Sequence, residues 1–186
     1  WQEAKVSDLL EFIGGSQPPK SEHIYEKKAG YIRFVQNRDY SSNNHHTYIP
    51  VAKRNKVCNE TDIMMDKYGE AGRVRFGIPG AYNVALAKIV PKQPNTQEYL
   101  RSYFSIPQIQ KSLEGAAAAS TRSSLNATTF AGLKINMPTS KLLVQFEDEQ
   151  KTRLRMIMRN DQQIQTLIAL RDTLLPRLIN GKVKLD

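Results

Sequence analysis

Residues 141–175 contain neither glycine nor proline, and their apolar side chains recur at alternating intervals of three and four. The row runs Leu154, Ile157, Asp161, Ile164, Ile168, Arg171, Leu175 and Leu178, apolar except at Asp161 and Arg171. A second seam of Leu143, Phe146, Ile157, Ile164, Leu167 and Leu174 overlaps it. Such spacing draws one stripe along a helix. The stretch predicts a single long helix, starting after Pro138-Thr139-Ser140, which supplies the cap, and ending at Pro176. At 1.5 Å per residue it reaches roughly 50 Å. Residues 1–140 make too small a domain to cover a helix of that length. The stripe therefore needs another helix, from a second copy or from another segment. The simpler alternative is a helix folded back on its own domain. On the pairing reading Leu154, Ile157, Ile164, Ile168 and Leu175 make the contacts, while Asp161 and Arg171 help set register and partner choice.

Residues 1–140 read differently. "YIRFV", "TYIPVA", "DIMMD", "RVRFG" and "YNVALAKIV" have the short alternating or buried apolar pattern of strands. "IGGSQPPKSE", "GEAG", "GIPG" and "VPKQPN" supply turns and loops. A helix is predicted from about Thr96 to Leu113, with Asn95 as its cap and Tyr99, Leu100, Tyr103 and Phe104 as its apolar stripe. Pro107 interrupts that stretch, so two short helices fit equally well. The fold class is α+β: a mixed domain over residues 1–140, followed over residues 141–186 by the long helix and a C-terminal tail.

The chain has 27 Lys+Arg against 18 Asp+Glu, a net charge of +9. Residues 1–140 carry 18 basic and 12 acidic side chains, so most of the excess lies in the α+β half. That sign points to an anionic partner, nucleic acid first and an anionic membrane surface second. No run approaches the roughly 18 apolar residues of a membrane span, and no signal peptide is visible. The one cysteine, Cys58, excludes an internal disulfide and suits a reducing cytoplasm. With three histidines and one cysteine no zinc-type ligand set can be assembled, and His45 and His46 read as solvated loop residues. A start on Trp1 rather than Met predicts a processed or excised piece of a longer chain.

Catalytic signatures are missing. There is no G-x-x-x-x-G-K-S/T loop for phosphoryl transfer and no G-x-G turn for a nucleotide cofactor. No Asn/Asp-Pro-Pro-Tyr/Phe corner is present to hold a base for amino-methylation. Glu149 and Lys151 in "FEDEQK" lack the partnering Pro-Asp of a metal-dependent nuclease and read as a solvated helix face. Lys67 and Tyr68 could act as base and acid, but no second catalytic group stands at a recognisable spacing. We therefore expect no catalytic residue and no bound metal.

What remains is a surface. "YIRFVQNRDY" offers Arg33, Gln36, Asn37 and Arg38, and "VAKRNKVC" offers Lys53, Arg54 and Lys56 around Asn55. Arginine pairs bidentately with guanine, and asparagine or glutamine with adenine, so this composition suits major-groove reading. Lysines and hydroxyls suit phosphate contacts that fix register. For any one of these residues, a Lys- and Asn-rich loop kept soluble is the plainer explanation; as a group they favour nucleic acid. The "DIMMDKYGEAGRVRFG" stretch adds a loop whose Gly69 and Gly72 permit a tight turn. Lys67 and Tyr68 are placed to bind phosphate there, with Arg73 and Arg75 extending the basic strip. Arg122 in "STRSSLN" is a further candidate.

Several stretches, in order, resemble the specificity subunits of type I restriction-modification systems. Trp1 followed by "VSDLLEFIGGSQPP" is similar to the opening of that family's target recognition domains. "AGYIRFVQNRDY" resembles its Ile-Arg strand ending in an aspartate, and "ETDIMMDKYGEAGRV" its strand and turn with a gly-x-x-gly tip. "ASTRSSLNATTFAGLKINMP" resembles its Ser-Thr-x-x-x-Leu segment, and "RDTLLPRLINGKVKL" its helix-ending Leu-Leu-Pro motif. The resemblance implies a DNA target recognition domain over 1–140 and, over 141–186, a spacing and docking helix that pairs as an antiparallel coiled coil. It implies no catalysis by this chain and no cofactor of its own, S-adenosylmethionine being expected on a partner methyltransferase (modification) subunit. The implied partners are double-stranded DNA, that modification subunit, a motor/nuclease subunit and a second copy joined through the helix, all in the cytoplasm. The chain departs from the usual pattern in having one domain and one helix, as a half-subunit or a fragment would. Two other readings remain open: the recognition segment of a fused restriction-methylation enzyme, and a helical assembly scaffold with incidental DNA binding.

Overall fold

The computed structural model describes residues 1–42, 45–120 and 123–181. The chain divides into two compact units, Trp1–Glu147 and Asp148–Asp186. In the first, β1 (Gln2–Lys5) and a one-turn α1 (Val6–Leu9) lead into β2 (Leu10–Gly14). Then come β3 (Tyr31–Val35), β4 (Tyr48–Pro50), β5 (Val57–Cys58), β6 (Ile63–Asp66), β7 (Val74–Arg75), β8 (Gly80–Tyr82) and β9 (Leu86–Pro91). Helices α2 (Gln97–Phe104) and α3 (Pro107–Ala118), strand β10 (Lys134–Met137) and helix α4 (Ser140–Ile179) complete the order. The mixed domain and the long helix expected from the sequence are both present.

Strands gather into two four-stranded sheets, ordered β2-β9-β6-β7 and β4-β3-β8-β5, and a β1-β10 pair. The run "YNVALAKIV" is not one strand. It breaks at Asn83, where the Leu86 N–H donates to the Asn83 carbonyl at 3.1 Å, so that β8 lies in one sheet and β9 in the other. β9, in the middle of the first sheet, buries Leu86, Ala87 and Ile89, and β6 beside it is buried throughout. Leu100, Phe104, Leu113 and Phe130 cover this sheet from α2, α3 and the Ala127–Phe130 turn. A smaller cluster of Val35, Cys58, Met64, Tyr82 and Leu86 joins the two sheets.

Of the two arrangements open around Pro107, two short helices form. Pro107 takes the first position of α3, and Ile106 before it is extended at φ −69° and ψ 124°, the conformation a following proline imposes. Asn95 does not cap α2. It adopts φ 57°, and the helix starts after Thr96. The first-turn N–H of Glu98 is instead satisfied by the Glu147 carboxylate at 2.9 Å, from a buried position on the first part of α4. α4 also runs past its predicted end. Pro176 lies inside it, where its missing N–H forfeits one bond to the Asp172 carbonyl without ending the helix. The helix closes where Asn180 donates to the Pro176 carbonyl at 3.1 Å and Gly181 turns left-handed at φ 64°.

Gly15 marks the tightest approach of one segment to another. A Cβ there would lie 2.0 Å from the Asn83 carbonyl oxygen and 2.5 Å from that of Tyr82. Gly15→Ala should therefore destabilise the domain by about 1–3 kcal/mol, the range for overpacking. At Gly132, where a Cβ meets nothing within 4 Å, the same change should leave the urea midpoint in place. Equal midpoints for the two variants would contradict this packing.

Candidate nucleic-acid interface

Strand register brings six strand ends to one rim. Gly14, ending β2, pairs with Ala87 near the start of β9, and Asp66, ending β6, pairs with Leu86. The Asn83–Ala85 turn joins the start of β9 to the end of β8. There Tyr82 pairs with Val35, the last residue of β3, and its N–H donates at 3.1 Å to the Lys56 carbonyl just before β5. The rim consequently displays the Gly14–Ser16 segment, the turn after β3, Lys56, the β6–β7 loop and the Asn83 turn. Residues 123–126 flank it, since the Leu125 N–H donates to the Lys67 carbonyl at 3.1 Å. Arg122 lies outside the described residues.

β6 and β7 form the hairpin expected around the glycine tip, with Met64 opposite Arg75 and Met65 opposite Val74. Gly69 and Gly72 adopt φ 72° and 90°, conformations that glycine takes at no steric cost. The loop is clamped on both sides. The Lys67 N–H donates to the Ala85 carbonyl at 2.8 Å, Ala71 is buried in the core, and a Cβ on Gly72 would stand 2.8 Å from that of Leu113. Tyr68, Glu70 and Arg73 remain outside. The Lys67 ammonium sits 5.7 Å from the Tyr68 ring centre and 3.5 Å from where a Gly14 Cβ would lie. Among the described residues no carboxylate pairs with Lys53, Lys56 or Lys67.

Arg75 corrects the expected basic strip. It points inward from β7 and is buried, where the buried Asp66 at the end of β6 accepts its Nε–H and Nη2–H at 3.0 and 2.9 Å. Its guanidinium also lies 5.7 Å from the Tyr40 ring centre and bonds Glu70 at 2.7 Å. Burial pushes the Asp66 carboxyl above its usual range despite Arg75, and pushes the Tyr40 hydroxyl up as well. Arg73 points outward and pairs with Glu70, and that hydrogen bond holds the Glu70 carboxyl below its usual range.

After β3, the turn Asn37–Tyr40 exposes Arg38 and half-buries Gln36 and Asn37. Buried Asp39 organises it by accepting the Gln36 N–H at 3.0 Å. Asp39 also stands 3.6 Å from Arg33, whose side chain is only 16% exposed and points into the domain rather than over the rim. Lys53, Arg54 and Lys56 separate. Lys56 sits at the rim, Arg54 is engaged by Glu22, and Asn55, expected to read bases, ties its amide to the Pro50 carbonyl at 2.9 Å. A recess of about 610 Å³ bordered by Lys27, Tyr31, Arg33 and Tyr48 gathers none of the candidate residues but Arg33. In the second unit Ile157, Ile164, Ile168 and Leu175 are exposed, with Leu167 and Leu170 beside them, whereas Leu154 is buried.

Sequence reasoning missed the Gly14–Ser16 segment and the Asn83 turn as parts of the rim, and the Asp66–Arg75 pair beneath the hairpin. One signal was available for the last: opposite charges on two otherwise apolar strands joined by a short loop. The rim assembles cations (Lys56, Lys67, Arg38 and Arg73) with the amides of Gln36 and Asn37. Cations of this kind position phosphates and such amides read base edges.

The chain belongs to the family of type I restriction modification DNA specificity domains, whose model matches residues 1–167. It is 24% identical over 191 residues to the type I restriction enzyme HindI specificity subunit of Haemophilus influenzae, covering 98% of this chain and 42% of that one. A similar match is the type I restriction enzyme MjaIX specificity subunit of Methanocaldococcus jannaschii, 24% identical over the whole of this chain and 45% of the relative. Among solved structures, the type I restriction-modification S subunit of M. genitalium shares the fold with a TM-score of 0.64 at 16% identity, over 95% of this chain and 45% of that one. The chain spans less than half the length of the relatives it matches. The family's own description is of DNA specificity, a recognition role rather than a catalytic one.

The two arginines of the hairpin should behave differently on substitution. Arg75→Ala leaves Asp66 buried without its partner, and should lower unfolding stability by about 3–5 kcal/mol. Arg73→Ala should leave the urea midpoint where it is. Comparable midpoints for the two would contradict the burial of the Asp66–Arg75 pair.

Proposed function

We propose that this chain reads one half of a bipartite DNA site through the rim formed by the strand ends, and that its long helix joins it to a second such unit. The observation that carries this reading is the gathering of Arg38, Lys56, Lys67 and Arg73 at one edge by the register of two sheets. The exposed apolar row on α4 supports the second part. Side chains such as Ile164, Leu167 and Leu175 lose their contact with water only against another helix. Two copies would read a palindromic split site, because two-fold protein symmetry repeats the same contacts. Methyltransferase subunits carrying S-adenosylmethionine would dock on the paired helices, with a motor/nuclease subunit joining for cleavage, in the cytoplasm. Among the described residues no helix is long and apolar enough to cross a membrane.

Lys67→Ala and Arg38→Ala separate phosphate from base contacts. Loss of a phosphate contact weakens binding to every duplex alike, whereas loss of a base contact costs about 1–3 kcal/mol chiefly on the cognate site. Unchanged binding for both variants on all duplexes would remove the rim from consideration. The helix makes a separate prediction. Seven residues inserted within 155–175 add about 10 Å of helix and should lengthen the preferred spacer by about three base pairs. A spacer of unaltered length would show that α4 does not set it.

A further inference from the structure

The hairpin tip carries a carboxylate at the place where phosphate is expected. Glu70 is half-exposed, lies between the two left-handed glycines, and shares its oxygens between Arg73 and Arg75. A purely structural role explains little of this. Arg75 already donates two hydrogen bonds to Asp66 and has the Tyr40 ring beside it, and the loop backbone is held without the Glu70 carboxylate. The Gly72 N–H donates to the Asp66 carbonyl at 2.9 Å, the Lys67 backbone is bonded on both sides, and Ala71 and Gly72 pack inward. What Glu70 does engage is Arg73, the outward-facing guanidinium of the loop. A carboxylate and a phosphodiester offer arginine the same kind of partner, two anionic oxygens in a plane that its fork matches.

We propose that Glu70 is an internal competitor for DNA phosphate, its carboxylate occupying Arg73 until a backbone phosphate displaces it. The proposal rests on the rim facing DNA. Because the loop frame is clamped, the exchange needs only side-chain rotation. On random duplex Arg73 stays with Glu70, because on release the half-exposed carboxylate, left with Arg75 alone, would be repelled by phosphates. Only a duplex that the rest of the rim holds in register brings a phosphate close enough to take its place. Glu70 thereby lowers binding to wrong sequences more than to the right one.

The test is a salt titration of the full chain on a random-sequence duplex, comparing wild type, Glu70→Gln, Arg73→Ala and the double variant. Glutamine keeps the shape and can still accept from Arg75. Glu70→Gln is expected to raise affinity several-fold and to steepen the slope of log K against log salt by about 0.9, one further phosphate contact. Arg73→Ala should change little alone and should abolish the gain in the Glu70→Gln background. A general charge effect would instead make Arg73→Ala equally costly in both backgrounds, which overturns the proposal, as does an unchanged slope in Glu70→Gln. If Glu70→Gln weakens binding on a cognate sequence alone, Glu70 reads a base and the competitor role is likewise overturned. Failure of the wild type to bind any duplex overturns both this proposal and the rim itself.

Discussion

The position of β9 between β2 and β6 is the constraint on which the rest depends. Its antiparallel register with both neighbours sets Gly14, Asp66 and Leu86 side by side. The turn immediately before it carries the chain into the other sheet, where Tyr82 meets Val35. A slip of one residue would turn Lys88 to the face that Ile89 buries, so burial of Ile89 on one face and Leu86 on the other fixes the register strongly. The rim is a consequence of that core. No segment need be held at the surface by a dedicated device, because the strands end there together.

Charge is arranged on the same principle. The hairpin places one ion pair inside and leaves cations outside. Arg75 and Asp66 are buried together, and such a pair contributes more to holding one arrangement than to net stability. Lys67 and Arg73, on the same loop, face outward on a frame fixed by Ala71, Gly72 and Ala85. A rigid loop presents its cations in one geometry. That geometry is what separates recognition of a particular duplex from general attraction to polyanions.

Much of this was legible in the sequence, and the gaps have physical causes. The three-four spacing after residue 140 gave the long helix, since no other element uses that period over so many residues. The glycine pair gave the hairpin, because positive φ has few other carriers. Boundaries were harder to read. Pro176 read as a stop, but in a final turn it removes a single donor. Asn95 read as a cap, although the first turn of α2 is satisfied by Glu147, some fifty residues away in sequence. The direction of Arg75 was likewise hidden, because period-two alternation over a two-residue strand cannot tell inward from outward. The Asn83 turn looked like the middle of one strand, since its neighbours on both sides are apolar and enter different sheets. Which residues share the rim is a property of non-local register, and single-sequence patterns do not encode it.

The central claim is that the strand ends form a DNA-reading surface whose partner helix fixes the distance between two halves of a site. The measurement that tests it most directly is selection from a pool of random duplexes across a salt series, with the modification subunit present and absent. The account predicts a steep loss of binding with rising salt and enrichment of two short sequence blocks separated by a constant spacer. Failure to enrich any sequence, with the modification subunit present and at low salt, would contradict it and leave the long helix as an assembly scaffold.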